Sequence, residues 1–262
     1  MNMNILLLGD IVGPSGRKAI TKHLPDLIKK KKIDFVILNG ENAADPGVGI
    51  TKKNFDDLSK AGADVITTGN HVWDQPEALD FIVTEERLLR PQNLKEGAPG
   101  KGFGIFESKS KKKVAVINLM GNIFMKKCDD AFEAAKKIIE KIKLKKNADF
   151  IVVDFHGEIT SEKMAIGHFF DGKVTMVVGT HTHVPTSDYR ILDNGTAYQT
   201  DVGMCGDYNS VIGMNKNNSI KKFLKDPSAI KHFPALGEAT ISGLMVNADE
   251  ATGLAKKVEP II

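Results

Sequence analysis

Short apolar segments alternate with longer amphipathic segments along this chain. The apolar segments are continuous runs of β-branched and other apolar residues, as is typical of strands buried on both faces of a sheet. Five such runs lead directly into polar motifs: Ile5–Leu8, Phe35–Leu38, Val65–Thr68, Phe150–Val153 and Met176–Val178. The segments between them predict helices at Arg17–Lys30, Lys52–Lys60, Pro76–Val83, Ala131–Lys143 and Ser161–Phe169. This alternation predicts an α/β fold with a largely parallel centre.

Local signals place the ends of some predicted helices. Thr51 and Ser161 are suited to N-caps, because a hydroxyl oxygen accepts a hydrogen bond from the first turn. The pair Ala61-Gly62 predicts the end of a helix.

The last third of the chain changes in character. It predicts three strands joined in part by a hairpin turn at Asn194-Gly195: Tyr189–Leu192, Ala197–Thr200 and Ala239–Val246. Residues 203–218 have no clear periodicity and predict a long loop over the site. No linker interrupts the pattern, so we expect one domain over residues 1–262.

Composition excludes several classes of protein. The 36 basic and 33 acidic residues leave a net charge of +3, and only four of the basic residues are arginine, so we expect no stable binding of nucleic acid. Two cysteines, Cys128 and Cys205, suit a reducing compartment. No apolar stretch approaches the ~18 residues of a membrane span. With no export signal evident, we expect a cytoplasmic protein with no membrane partner.

Residues able to bind a metal ion follow the five predicted strands, at the edge where ligands bind in such sheets. Carboxylates, amides and imidazoles together suit manganese, iron or zinc better than magnesium or calcium. The candidates are Asp10, Glu41, Asn42, Asn70, His71, His156, His181 and His183.

Spacing and charge favour a centre with two metal ions. His181 and His183 are two residues apart, so both side chains face one side of an extended segment. A turn at Glu41-Asn42 would let the carboxylate bridge two ions while the amide binds one. Two divalent ions balanced only by Asp10 and Glu41 leave about two positive charges, which suits a hydroxide and a phosphate substrate.

His71 has a separate expectation, because neighbours on a turn seldom bind the same ion. If Asn70 is a ligand, His71 lies beside the phosphate as a general acid. The alternative is that His71 only hydrogen-bonds a backbone group.

Three carboxylates are better suited to caps, or to orienting a histidine ligand, than to binding metal: Asp154, Glu158 and Asp201. His23, His168 and His232 have no such context and are interpreted as surface or core residues.

These motifs resemble the calcineurin-like metallophosphoesterase superfamily. The sequence departs from the usual superfamily set at three points: no histidine follows Asp10 at the second position, Glu41 replaces the bridging aspartate, and Thr180 precedes the first histidine of the last motif. These departures resemble one branch, the bacterial YmdB-type phosphodiesterases. The matching segments are Gly9–Gly13, Asn39–Ala43, Thr68–Asp74, His156–Glu158, Val178–Val184, Thr200–Met204 and Ser210–Gly213.

The resemblance implies a four-layer α/β/β/α sandwich with a di-metal site at the carboxyl ends of the strands. Glu41 would bridge two ions, iron or manganese, with magnesium or zinc as alternatives. Asp10, Asn42 and His183 would bind one ion, and Asn70, His156 and His181 the other. It further implies a homo-oligomer that hydrolyses cyclic nucleotides, notably 2′,3′-cyclic nucleotides. A bridging hydroxide would attack phosphorus, and His71 would protonate the leaving 2′ or 3′ oxygen.

Two alternatives to an enzyme of this kind remain open. Long loops near the site and a ligand set rich in asparagine also suit a regulatory protein that binds a nucleotide and turns over little. A polysaccharide-associated CapA-like protein would share the scaffold and its Glu and Asn ligands, although the lack of a signal segment argues against it. Residues 205–209 differ from the usual YmdB-type pattern, so the substrate pocket is less well predicted than the metal ligands.

Overall fold

The computed structural model describes residues 2–95 and 97–262. Its strands are β1 (Asn2–Ile11), β2 (Phe35–Asn39), β3 (Val65–Thr67), β4 (Phe103–Glu107), β5 (Lys113–Met120), β6 (Phe150–His156), β7 (Met176–Thr180), β8 (Arg190–Ile191), β9 (Ala197–Gln199), β10 (Met204–Cys205), β11 (Gly243–Asp249) and β12 (Ala255–Ile261). Its helices are α1 (Gly13–Lys31), α2 (Lys52–Ala61), α3 (Ala78–Phe81), α4 (Ala131–Lys141), α5 (Thr160–Phe170) and α6 (Lys216–Phe223). Within these residues, no helix is both long and apolar enough to cross a membrane.

The strands of the described ranges form two six-stranded sheets with parallel centres. In the first sheet the order is β12-β11-β1-β2-β3, with β10 added parallel to the end of β1. In the second sheet the order is β4-β5-β6-β7-β9-β8. Strands β1 to β3 run parallel, as do β5, β6, β7 and β9. The carboxyl ends of these parallel strands carry the polar motifs.

Alternate residues of each central strand face two different apolar layers. Ile5 and Leu7 of β1 pack in one cluster with Val152 of β6, so this layer lies between the two sheets. Their neighbours Leu6 and Leu8 face the opposite way, toward helices α1 and α2. Helices α4 and α5 cover the outer face of the second sheet in the same manner. The predicted four-layer α/β/β/α sandwich is therefore confirmed.

The helix signals were correct at one helix and wrong at another. Thr51 caps α2, because its hydroxyl accepts a hydrogen bond from the Asn54 amide at 3.1 Å, and Gly62 ends this helix with φ of 121°. Ser161 does not cap α5: the helix already begins at Thr160, and the residue before it, Ile159, forms no side-chain cap. Residues 203–218, predicted as a loop, contain β10 and the start of α6.

Candidate functional site

The eight predicted site residues lie at strand ends from both sheets. Asp10 is the penultimate residue of β1, and the Glu41-Asn42 turn follows β2. The turn at Asn70-His71 follows β3, and His156 is the last residue of β6. The segment His181–His183 follows β7. Because the parallel strands end on the same side, the fold brings these side chains to one edge of the sandwich.

His156 is held with a bare nitrogen toward the site. The Thr180 hydroxyl donates to an Asp154 carboxylate oxygen at 2.8 Å, so its oxygen accepts the proton of His156 Nδ1 at 2.9 Å. The β6–β7 register pairs His156 with Thr180 and so fixes this contact. With its proton on Nδ1, the neutral ring presents the lone pair of Nε2, the arrangement of a metal-binding histidine.

Three further acceptor atoms crowd around His156 Nε2. Glu41 Oε2 lies 2.5 Å away, His181 Nδ1 lies 3.0 Å away, and Asn70 Oδ1 lies 3.1 Å away. Glu158 Oε2 lies 3.2 Å from His181 Nε2, which places the proton of that ring on Nε2 and leaves Nδ1 bare. Despite its proximity to His156, Glu41 Oε2 forms no hydrogen bond with any described residue. The two imidazole nitrogens and the amide oxygen therefore converge on Glu41 without protons of their own.

The remaining ligand candidates lie on the side of the site nearer β1. His183 Nδ1 donates to the Ile212 carbonyl at 2.7 Å, so Nε2 is bare, 3.9 Å from Asp10 Oδ1. The Asn42 side-chain amide donates to the Gly47 carbonyl at 3.0 Å, which leaves its oxygen free. Among the described residues, neither Asp10 Oδ1 nor Asn42 Oδ1 has a hydrogen-bond partner, although both are buried.

Burial shifts the pKa values of these groups in the directions that favour their neutral forms. Loss of solvent raises the pKa of Asp10, and it raises the pKa of Glu41 to about 7 although the charge of His71 opposes the change. The same loss of solvent lowers the pKa of His156 to about 3 and that of His181 to about 2. Both imidazoles are therefore neutral near pH ~7, as metal binding requires.

The donor set fits divalent metal ions. A buried acceptor without a partner costs free energy, and this site gathers three such oxygens with three bare imidazole nitrogens. The ligand atoms of Glu41, His156 and His181 lie within 4.8 Å of one another, close enough to surround one cation. A divalent cation is the partner that all of these lone pairs can coordinate at once.

His71 stands apart from the converging ligands but is tied to them. Its backbone amide donates to Glu41 Oε1 at 3.0 Å, and its Nδ1 lies 2.6 Å from Asp74 Oδ2. Partial burial alone would raise the pKa of Asp74, but the hydrogen bond from His71 and the charge of that ring lower it overall. Asp74 therefore stays ionised and orients the ring, whose Nε2 is left for other contacts.

The residues that support the ligand candidates were only partly predicted. Of the three carboxylates predicted to cap or to orient a histidine, Asp154 acts on His156 through Thr180, and Glu158 lies beside His181 directly. Asp74 and Thr180 had no predicted role, although both lie within the motifs. The three histidines interpreted as having no site role, His23, His168 and His232, are exposed.

Comparison with known proteins places this architecture in a family. A family model described as YmdB-like protein matches residues 6–261. A Bacillus subtilis protein named 2′,3′-cyclic-nucleotide 2′-phosphodiesterase is 45% identical over 260 residues, covering 99% of this chain and 97% of the relative. A Mycoplasma pneumoniae structure titled as a novel phosphatase is 37% identical, with a TM-score of 0.91, over 100% of this chain and 93% of the other. A hypothetical protein from Thermus thermophilus is 39% identical, with a TM-score of 0.90, over 98% of both chains.

Gly69→Ala should abolish metal binding. A Cβ at this position would lie 1.9 Å from Glu41 Oε2 and 2.3 Å from His156 Nε2, so it would occupy the space in which the ligands converge. Gly206→Ala is the matched control, since its Cβ would meet its nearest neighbour at an ordinary 3.4 Å. Bound Mn²⁺ per chain, measured by elemental mass spectrometry, should fall only in the Gly69 variant. Full occupancy in Gly69→Ala would contradict this position for the site.

Glu41→Gln should stabilise the chelator-stripped protein above neutral pH. The pKa of Glu41 is about 7 in the folded chain, against an ordinary value of 4.5. Between pH 4.5 and about pH 7 the folded chain therefore keeps a proton on Glu41 that the unfolded chain has lost. The contribution of Glu41 to the free energy of unfolding is fully present below the unfolded-state pKa and is lost as pH rises through the folded-state pKa. The loss is about 3 kcal/mol, which the glutamine variant avoids.

The measurement is the free energy of unfolding across this pH interval. The advantage of Glu41→Gln over the wild type should grow from about pH 4.5 to about pH 7 and then stay constant. Glu238→Gln, at an exposed position, is the control for the loss of a carboxylate. A difference between Glu41→Gln and the wild type that did not change with pH would refute the assigned pKa.

Proposed function

This chain belongs to the family of YmdB-like proteins, and from that membership we propose that it is a metal-dependent phosphodiesterase acting on 2′,3′-cyclic nucleotides. The observation that carries the proposal is the convergence of unprotonated imidazole nitrogens on the Glu41 carboxyl group beside the His71–Asp74 pair. The name of the Bacillus subtilis relative specifies both this substrate class and the 2′ ester bond. We assign the same bond to this protein.

The ligands divide into two groups around Glu41. Asp10, Asn42 and His183 would hold one divalent ion, and Asn70, His156 and His181 the other. We propose iron or manganese, with magnesium or zinc as alternatives, because mixed oxygen and nitrogen ligands accept several such ions. When bound, two ions would supply positive charge to the phosphate oxygens and activate a water molecule.

His71 is proposed as the general acid of the reaction. Asp74 accepts the proton of Nδ1, which fixes the orientation of the ring. The Glu41 carboxylate holds the His71 backbone amide, so the acid has a set position relative to the ligands. With its side chain 31% exposed, the ring is accessible to a substrate and can give a proton to the departing 2′ oxygen.

The site also bears on domain organisation. Asp10, Glu41 and His71 come from the first sheet, whereas His156 and His181 come from the second. Neither sheet alone carries a complete ligand set. We therefore propose that residues 1–262 act as one domain.

Chelator-stripped protein should not hydrolyse 2′,3′-cyclic AMP, and added Mn²⁺ should restore turnover. Opening of the 2′ ester bond leaves the phosphate on the 3′ oxygen, so chromatography should identify 3′-AMP as the product. Formation of 2′-AMP would contradict the assigned bond. Binding of two Mn²⁺ and of nucleotide without any product would contradict the proposed enzyme. It would support instead a regulatory protein that binds the nucleotide.

His71→Ala should lower kcat for 2′,3′-cyclic AMP by about 10²–10⁴-fold while both Mn²⁺ ions stay bound. The loss should be much smaller for bis(p-nitrophenyl) phosphate, because its leaving group departs without a proton. His232→Ala, which removes an exposed histidine, is the control. An equal loss on both substrates would show that His71 positions the substrate and does not act as the acid.

A further inference from the structure

A buried ion pair lies directly behind the histidine segment of the site. Lys163 of α5 and Asp201 are each 1% exposed, and Lys163 Nζ lies 2.7 Å from Asp201 Oδ2. The lysine passes over Gly179, where a Cβ would come 3.0 Å from Lys163 Cδ. Burying two charges is costly even when they are paired, and the proposed reaction uses neither group. The pair therefore calls for a role of its own.

Both members of the pair bind the backbone around the histidine ligands. Lys163 Nζ donates to the Thr180 carbonyl at 2.8 Å, immediately before His181. Asp201 Oδ2 accepts the backbone amide of Thr182 at 3.1 Å, between His181 and His183. The ion pair thus binds one peptide group on each side of His181.

This part of the backbone has a conformation that needs support. His181 has a φ of 100° and His183 has a φ of 65°, values that residues with a Cβ rarely adopt. Such conformations cost of order 1–3 kcal/mol each and persist only where the surroundings enforce them. The bonds from Lys163 and Asp201 lie at this strained segment, where they oppose its relaxation.

The same carboxylate extends the support to the first sheet. Asp201 Oδ1 accepts the Gly203 amide at 2.8 Å, and the Gly203 carbonyl accepts the Asp10 amide at 3.3 Å. Asp10 Oδ2 in turn accepts the backbone amide of His181 at 3.0 Å. One hydrogen-bonded circuit therefore joins the ion pair to ligand candidates from both sheets.

We propose that Lys163 and Asp201 are positioning residues that hold His181 and His183 in metal-binding geometry. They touch neither metal nor substrate and act through the backbone of the histidine segment. The inference rests on the proposed function only in taking these histidines as metal ligands. It gives Thr200–Met204, a motif without an assigned role in the reaction, a physical purpose.

The test compares Lys163→Met and Asp201→Asn with Glu162→Gln. Glu162 is the neighbour of Lys163 on α5, is also buried, and bonds the backbone amide of Asn122 at 2.8 Å, away from the histidine segment. Mn²⁺ affinity is measured by calorimetry on chelator-stripped protein, and ligand geometry is followed by the visible absorption of the Co²⁺ form. Thermal unfolding of the stripped proteins reports the purely structural contribution.

Both ion-pair variants should lose tenfold or more in Mn²⁺ affinity and should alter the Co²⁺ spectrum. Glu162→Gln should lower the unfolding temperature but keep Mn²⁺ affinity within about twofold of the wild type. Wild-type affinity and spectrum in Lys163→Met, with reduced thermal stability, would overturn the proposal and leave the pair a structural role only.

If a single variant fails to fold because one charge is left unpaired, the double variant Lys163→Met/Asp201→Asn decides the question. Reduced Mn²⁺ affinity in the folded double variant supports the proposal, and unchanged affinity overturns it. These readouts do not depend on turnover. A wild-type protein that binds Mn²⁺ through this segment but leaves 2′,3′-cyclic AMP intact would refute the proposed substrate and not the positioning role.

Discussion

The stacking of two sheets through an apolar layer is the constraint on which the rest of this protein depends. The layer excludes water from both inner faces and sets the parallel strands so that their carboxyl ends share one edge. Lone pairs from Asp10, Glu41 and Asn42 are buried there without partners in the described chain. Unpaired acceptors cost about 1–3 kcal/mol each, so apolar packing elsewhere must hold the ligands in place.

Much of the fold was predictable because buried parallel strands are continuous apolar runs. Four of the five predicted runs fall within strands, and the fifth, Val65–Thr68, extends one residue beyond β3. The change of face between Leu7 and Leu8 produces the two apolar layers. Strand β5 was missed, since its end at Met120 carries no ligand-type residue that would mark it. Strand β12 was missed because an edge strand tolerates charges such as Lys256 and Lys257 that hide its pattern.

Some residues of the site were likewise predictable from the local sequence, whereas others depend on tertiary contacts. The eight candidates were recognisable because each lies at or just after the carboxyl end of a predicted strand, and the structure brings all of them to one edge. The role of Thr180 was not predictable, because it depends on the register that pairs it with His156 across two strands. Similarly, the bonds of Lys163 depend on how α5 packs over β7, which no local spacing encodes.

The hydrogen bond from the His71 amide to Glu41 joins the proposed acid directly to the proposed metal ligands. Without ions, Glu41 has a pKa of about 7, so near neutral pH much of the population carries a proton on this carboxyl and holds the amide more weakly. A divalent ion bound by Glu41 would favour the ionised carboxylate and so strengthen its hold on the turn that carries His71. Loss of that ion would thus loosen the placement of a residue that is not itself among the proposed ligands.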